Sequence, residues 1–200
     1  MLSTSVLTNE ANLGDTMSQE TIVMSATDGP TLTGAARASC IPTANRIVLP
    51  NNFFYIGRAI RITMSGRISC AVTTPGTARF DICMGSAGTT VVFDTLALNL
   101  NIVAKTTVPW FFTTTLVCRA VGTSTSTTFF PHFSFIQSEA IIASPLPAVG
   151  SNGSLIVPVG TPAVGAGMDN TAASALDVFF TQTVATGSMT VHNYQVDVLN

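Results

Sequence analysis

The chain has 200 residues, which suits one β-sandwich or barrel domain and is short for two. Only 9% of its residues are charged, against roughly 25% in an average soluble domain, and its formal net charge is -2. This balance lacks the basic footprint of nucleic-acid-binding proteins, and no run approaches the roughly 20 apolar residues of a membrane span. We therefore expect neither a nucleic-acid nor a membrane partner.

The first 36 residues differ in composition from the rest of the chain. They are rich in Ser, Thr and Asn, hold four of the ten acidic residues, and contain no basic residue before Arg37. Such a segment buries too little apolar surface to offset the entropy of ordering it. We predict an extended N-terminal arm over residues 1–36, with a short strand around Glu20–Ser25, followed by one domain over residues 37–200.

From Arg46 onward, alternating apolar and polar residues are separated by turn signals. The clearest strand is Arg58–Val72, whose even positions from Ile60 to Val72 are apolar or small and whose odd positions include Arg61 and Arg67. This period of two places one face in a core and both arginines on the polar face. The stretch is long for one strand, so we expect a bulge or bend at Gly66.

Further stretches predict strands down to the C-terminus. Leu96–Val103 fits either a strand or an irregular connection, Leu155–Val157 a short strand, and Asn170–Ala175 the start of a helical turn. The spacing favours an all-β fold, a single jelly-roll-type antiparallel β-sandwich with an extended N-terminal arm. The remaining predicted strands are Arg79–Met84, Thr89–Asp94, Val108–Val121, Thr127–Ile142, Asp177–Val184 and Ser188–Leu199.

Candidate catalytic groups are few and lack a motif. His132 and His192 lie 60 positions apart on predicted strands, with no G-x-S-x-G elbow to position a nucleophile. Asp81 and Asp94 lack the spacing signal of a glycosidase pair, and we favour a surface ion pair in the hairpin that Asp81 shares with Arg79. We expect no enzyme activity, catalytic residue, cofactor or metal.

The four cysteines form no C-x-x-C pair, and two histidines do not complete an obvious zinc site with them. We favour buried free thiols in a protein made in a reducing cytoplasm, because the first nine residues lack the features of a secretion signal. The alternative is a disulfide between Cys70 and Cys83, facing each other across a hairpin that turns near Pro75-Gly76.

Aromatic residues recur as adjacent pairs along the predicted strands. Adjacent strand residues point to opposite faces, so one sandwich core cannot hold both members of a pair. Some rings must be covered by the arm, by loops or by another subunit, and arginine is enriched at protein–protein contacts. The predicted interface residues are Arg61, Arg67, Phe53, Phe54, Phe111 and Phe130.

With its polar arm, Thr- and Ser-dominated strands, single lysine (Lys105) and closing stretch Ala175–Leu199, the chain resembles the decoration, or cement, proteins of tailed bacteriophages. Related head and tail accessory proteins share this overall pattern, which covers residues 37–200 without a diagnostic signature. The resemblance implies a jelly-roll homotrimer on the outer capsid surface. It would sit at local threefold points, lock neighbouring subunits of the major capsid protein together, and have no catalytic residues.

Three functions follow as hypotheses. The first is a homotrimeric decoration protein that stabilises a capsid shell. The second is a host-attachment or carbohydrate-binding module of a tail fibre or spike, for which exposed Trp or Tyr side chains are expected; the single tryptophan, Trp110, lies on a strand predicted to be buried. The third is a single jelly-roll capsid shell protein, which the acidic arm disfavours because arms that meet a packaged genome are often basic.

Overall fold

A computed structural model describes residues 19–71, 75–142 and 153–199. Within these ranges the chain forms twelve β-strands and one short 3-10 helix, Thr43–Asn45. Both sheets are antiparallel, with their apolar faces packed together in a shared core. The predicted all-β sandwich is confirmed.

The first sheet has six strands in the order β1-β12-β4-β8-β9-β10. Its centre is formed by the long strands β4 and β8, which pair almost along their whole length. These strands are β1 (Glu20–Met24), β4 (Ala59–Cys70), β8 (Lys105–Ala120), β9 (Thr128–Ser138), β10 (Gly153–Ile156) and β12 (Ser188–Val198).

The second sheet follows the order β2-β11-β5-β6, with β3 also pairing with β11 and β7 with β5. Several of these strands are short, and β5 and β11 carry most of the packing against the first sheet. The strands are β2 (Ala38–Ser39), β3 (Ile47–Leu49), β5 (Thr77–Met84), β6 (Thr90–Asp94), β7 (Leu98–Asn99) and β11 (Ser174–Gln182).

Two of the connections between the sheets join strands that are paired with each other in both sheets. β4 and β12 pair in the first sheet, and β5 and β11, which adjoin them in sequence, pair in the second. The connections β4–β5 and β11–β12 therefore both pass from one sheet to the other, as do β1–β2, β3–β4, β7–β8 and β10–β11. This connection between sheets is compatible with the predicted jelly roll.

Strand β4 confirms the alternation predicted from the sequence. Its even positions from Ile60 to Cys70 are buried. The irregularity expected at Gly66 lies across from it, because β12 carries an extra residue, His192, between the partners of Gly66 and Ser65. A Cβ atom at Gly66 would lie 1.9 Å from the carbonyl oxygen of Thr190, so glycine allows the close approach of β12.

The structure decides the conformation of two stretches whose sequence patterns were weak. In Leu96–Val103 only β7 is a strand, so most of this stretch is an irregular connection. The helical turn predicted to start at Asn170 is absent: β11 begins at Ser174, and the preceding residues form bends. The buried amide of Asn170 accepts from Phe54 N–H and donates to Phe54 C=O, which holds this chain segment against the loop before β4.

The short strand predicted around Glu20–Ser25 is confirmed as β1, which forms one edge of the first sheet by pairing with β12. The chain then continues along β12, where Gly29 N–H donates to Val191 C=O and Leu32 bridges to Met189. Residues 1–18 lie outside the described ranges. The boundary between arm and domain at residue 36 stays a prediction.

The core between the sheets is centred on aromatic rings. The ring of Phe80 on β5 lies 5.0 Å from that of Trp110, 6.0 Å from that of Phe112 and 5.1 Å from that of Phe180. Trp110 is buried as its strand pattern predicted, and its indole N–H donates to Thr190 C=O at 3.3 Å. These rings join both sheets into one apolar layer.

Candidate functional site

The outer face of the first sheet is polar on its β12 and β4 side. There Asp197, 1% exposed, accepts hydrogen bonds from the guanidinium of Arg61 at 3.1 Å and from the hydroxyl of Thr21 at 2.6 Å. Gln195 donates to the same carboxylate at 2.9 Å. This network ties β1, β12 and β4 together on the side facing away from the core.

Toward β8, β9 and β10, the same outer face becomes apolar. Phe133 is 58% exposed and Ile156 is 78% exposed, and half-buried Phe135 lies between them in the strand register. Phe111 on β8, 40% exposed, stands at one end of this group. We call Phe111, Phe133, Phe135 and Ile156 the apolar face. It lies on regular paired strands, so its side chains are held on a rigid surface.

Most outward-facing rings elsewhere are covered by an arginine. The guanidinium carbon of Arg37 lies 3.8 Å from the ring centroid of Phe179, that of Arg58 4.1 Å from Phe53, and that of Arg119 5.0 Å from Phe130. Such cation–π contacts shield an aromatic face from water.

No arginine among the described residues covers Phe111 or Phe133 in this way. The apolar face is therefore the place where the aromatic surplus noticed in the sequence remains open within one chain. Its exposed rings differ from the other outward rings in having no arginine over them within residues 19–71, 75–142 and 153–199, and this difference identifies the candidate site.

The predicted interface residues fall into different environments. Arg61, Arg67 and Phe111 share the outer face of the first sheet, as the strand period indicated, with Arg67 donating to Thr107 C=O at 3.3 Å. Phe54, by contrast, is only 3% exposed and packs edge-on against Phe129 within the chain's own core. Its side chain therefore offers almost no surface to another molecule.

Phe53 and Phe130, also predicted as interface residues, are half-buried beneath their arginines. Two exposed residues were missed by the sequence reasoning, Phe133 and Ile156. The bulge at His132 shifts the register of β9, so the simple alternation did not mark Phe133 as outward. Ile156 lay in the short strand predicted at Leu155–Val157, which was not assigned an outward face.

A shallow groove of about 440 Å³ lies beside Phe111. Its walls come from three adjacent strands: Ser65 on β4, Pro109 and Phe111 on β8, and Gln137 on β9, with Glu139 just beyond. Gln137 and Ser65 make no side-chain hydrogen bond within the described residues. The groove therefore combines an exposed ring with unpaired amide and hydroxyl groups.

The outer face of the second sheet carries two ion pairs on β5 and β6. Asp81, 2% exposed, is paired with the guanidinium of Arg37, and Arg79 is paired with Asp94 across the β5–β6 hairpin. The expected surface ion pair in this hairpin thus exists, but the partner of Arg79 is Asp94. Arg37 lies 44 residues before Asp81 in the sequence, so the strand spacing alone could not predict this ion pair.

The buried carboxylates Asp177 and Asp197 have pKa values shifted in opposite directions. Burial raises the pKa of Asp177, against the effects of the Ser39 hydroxyl and Arg46. Burial also opposes ionisation of Asp197, but the hydrogen bonds from Thr21, Gln195 and Arg61 outweigh it and lower the pKa. The folded protein therefore favours the charged form of Asp197 and disfavours that of Asp177.

The Asp197→Asn substitution is expected to lower the free energy of unfolding at pH 7 by about 1–3 kcal/mol, because it weakens hydrogen bonds to a buried charge. The depressed pKa means that this stabilisation is present above the unfolded value of about 3.9 and is lost as the pH falls through the folded value. Urea unfolding of wild type and variant between pH 7 and pH 3 measures the effect. The stability difference should shrink toward acid.

Asp177→Asn is the matched control. With a raised folded pKa, the protonated carboxyl contributes stability below about pH 3.9, and this contribution is lost as the pH rises through the folded value. The neutral amide should therefore cost little at pH 7. Equal, pH-independent losses in both variants would contradict the assignment.

All four cysteines are free thiols and buried. Burial, with the nearby Asp81 carboxylate, raises the pKa of Cys83 to about 12, which keeps the thiol protonated. The alternative disulfide is wrong for a topological reason: Cys70 ends β4 in the first sheet, whereas Cys83 lies on β5 in the second. Strands β4 and β5 do not pair, so the two cysteines do not face each other across a hairpin.

The two histidines lie in separate places. His132 is exposed on β9, and His192 Nδ1 lies 2.9 Å from Asp28 Oδ1. In the described ranges, no three His, Cys, Asp or Glu side chains cluster closely enough to hold a metal ion. The same ranges contain no helix long and apolar enough to span a membrane.

Comparisons with known proteins add no assignment to this geometry: no family model, curated protein or solved structure matches the chain significantly.

Proposed function

We propose that this protein is a non-enzymatic virion structural protein, a homotrimeric decoration or cement protein that binds the outer capsid surface and stabilises the shell. The observation that carries the proposal is the apolar face. Phe133 and Ile156 are 58% and 78% exposed beside Phe135 and Phe111 on one rigid sheet surface. Such clustered exposure is typical of surfaces that bury themselves against another protein.

The occupant that fits this face best is a second copy of the same chain. Aromatic side chains are enriched at protein–protein contacts and charged ones are depleted at their centres, and the apolar face contains only uncharged residues. Closed rotational symmetry repeats the same contact without exposing a new apolar surface. A trimer would thereby cover three copies of the face at once.

Attachment to a major capsid protein would use other parts of the molecule. The β1 edge of the first sheet lies at the opposite end from β10, and the polar half of the outer face carries the exposed side chain of Arg67. Contacts made there would not compete with self-association through Phe133 and Ile156. The proposed protein thus has separate surfaces for its own copies and for the shell.

Size-exclusion chromatography with light scattering tests the self-association. We expect a trimer for the wild type at micromolar concentration and a monomer for Phe133→Ser, because the substitution removes a central apolar contact. Val48→Ser is the control, since Val48 is 67% exposed on β3 of the other sheet. A monomeric wild type, or a trimer insensitive to Phe133→Ser, would contradict the proposed interface.

Electron microscopy of the purified source particle tests the location. Antibody-bound gold should decorate the outer capsid surface in a regular pattern if the protein is a cement protein. Label confined to a tail, or present only after the particle is disrupted, would assign the protein to another structure.

A further inference from the structure

The groove beside Phe111 is separate from the centre of the apolar face. Gln137 and Phe133 are four residues apart on β9, which corresponds to about 13 Å along a strand. Glu139, the residue after β9, also lines the groove. A small molecule could therefore occupy it without occupying the position of Phe133.

The groove has the size and composition of a small-ligand site. Its volume of about 440 Å³ lies within the roughly 300–1,000 Å³ typical of ligand pockets. Phe111, 40% exposed, supplies a flat apolar surface, and Pro109 extends the apolar wall beside it. Because β4, β8 and β9 are paired along their length, the lining is already in place before a ligand arrives.

The polar groups of the lining are suited to hydroxyl ligands. The amide of Gln137 can donate and accept, and the hydroxyl of Ser65 can do the same. Neither makes a side-chain hydrogen bond within the described residues. Polar groups placed around one exposed ring match a sugar, whose polarised C–H groups pack on an aromatic face while its hydroxyls bond at the rim.

The charges at the groove argue against an ionic ligand. The only carboxylate in its lining, that of Glu139, is already paired with Lys105 at 3.3 Å. The pair leaves no net charge to attract a phosphate, a sulfate or a sialic acid. Binding at such a site is expected to depend little on ionic strength.

We propose that this groove is a binding subsite for a neutral oligosaccharide, with Phe111 as the stacking platform and Gln137 and Ser65 as hydrogen-bonding residues. The site adds a recognition function to a structural protein, and it requires that self-association through Phe133, Phe135 and Ile156 leaves Phe111, at the end of the apolar face, open to the ligand. A subunit on an outer surface with such a site would contact neutral surface glycans directly.

A glycan microarray carrying neutral hexose, N-acetylhexosamine, sialylated and sulfated oligosaccharides tests the proposal with the full-length protein. We expect binding to neutral members that persists in roughly 0.5 M salt, at which surface charge interactions are strongly screened. The strongest neutral glycan is next titrated in solution by calorimetry. Binding to no neutral glycan, or only to charged ones, would overturn the proposal.

The variants Phe111→Ala and Gln137→Ala should each weaken the solution affinity by about tenfold or more, since a tenfold change corresponds to roughly 1.4 kcal/mol of contact free energy. Both side chains are outside the core, so the circular dichroism spectrum should stay unchanged. Val48→Ser on the other sheet is the control and should bind as the wild type does. Unaltered affinity in Phe111→Ala would place the ligand elsewhere and overturn the assignment.

The outcomes separate the two proposals. Loss of the trimer in Phe133→Ser with retained glycan affinity in solution would support both surfaces as independent sites. A trimer that forms without any glycan binding would overturn only the groove assignment. A monomer that binds neutral glycans through Phe111 would overturn only the self-association.

Discussion

Replacing Phe80 with alanine is expected to lower the free energy of unfolding by about 3–5 kcal/mol, which is the usual cost of emptying a buried phenylalanine site. Phe80 is fully buried, and its ring contacts those of Trp110, Phe112 and Phe180 from both sheets. The truncation would leave a cavity at the point where the sheets meet. Urea unfolding followed by tryptophan fluorescence measures the loss.

Two further variants show whether this loss comes from the cavity. Phe80→Leu keeps most of the apolar surface and should cost less than Phe80→Ala. Tyr55→Ala removes a ring that is 50% exposed, so it should change the free energy of unfolding by less than about 1 kcal/mol. A Phe80→Ala loss no larger than that of Tyr55→Ala would mean that this aromatic cluster does not hold the sheets together.

Replacing Gly66 with alanine is expected to cost at least about 3 kcal/mol, near the upper end for overpacked sites, or to prevent folding. The added Cβ would lie 1.9 Å from the carbonyl oxygen of Thr190 and 3.0 Å from Trp110 Nε1. The first obstacle is backbone, so no side-chain rotation relieves it. Strands β4 and β12 would have to move apart beside the bulge at His192.

Gly34→Ala is the matched control for this substitution. A Cβ at Gly34 meets nothing closer than 4.0 Å, so alanine should be neutral or stabilise by up to about 1 kcal/mol through a less flexible unfolded chain. Soluble yield and thermal midpoint are compared for the two variants. A Gly66→Ala protein as stable as Gly34→Ala would show that the strands can separate at little cost.

Outward-facing rings are covered by arginines in several places of this molecule and are uncovered at the apolar face. Arg37 and Arg119 each cover one ring and Arg58 covers two, Phe53 and Tyr55, so a chain with eight Lys and Arg residues uses three of them in this way. On the apolar face no described arginine covers a ring. Local shielding in one place and open rings in another is the pattern expected when only the open surface meets a partner.

The strands could be predicted from the sequence because side-chain burial alternates between neighbouring residues of a strand. The even positions of both predicted strands, from Ile60 to Cys70 and from Phe80 to Met84, had to share one face in any extended conformation, and they line the core as predicted. The burial of Trp110 followed from the same argument. The adjacent aromatic residues also indicated that some rings would remain outside the core.

The identity of those open rings required the tertiary structure. The bulge at His132 changes which residues of β9 point outward, and a bulge depends on pairing with β8. Likewise, the arginines that cover Phe53, Phe130 and Phe179 could not be distinguished by spacing alone from other arginines. Their role depends on which side chains the neighbouring strands and loops bring close.

The amino-acid sequence by itself determined that this protein is an all-β sandwich with few charges, buried thiols and more aromatic residues than one core can hold. Those properties follow from composition and from a period of two, which are local. The tertiary structure decided that Cys70 and Cys83 lie in different sheets, that Asp81 pairs with Arg37, and that Phe111 borders a groove with Gln137. These contacts join residues distant in sequence, and strand order, register and bulges select them among many alternatives with the same local pattern.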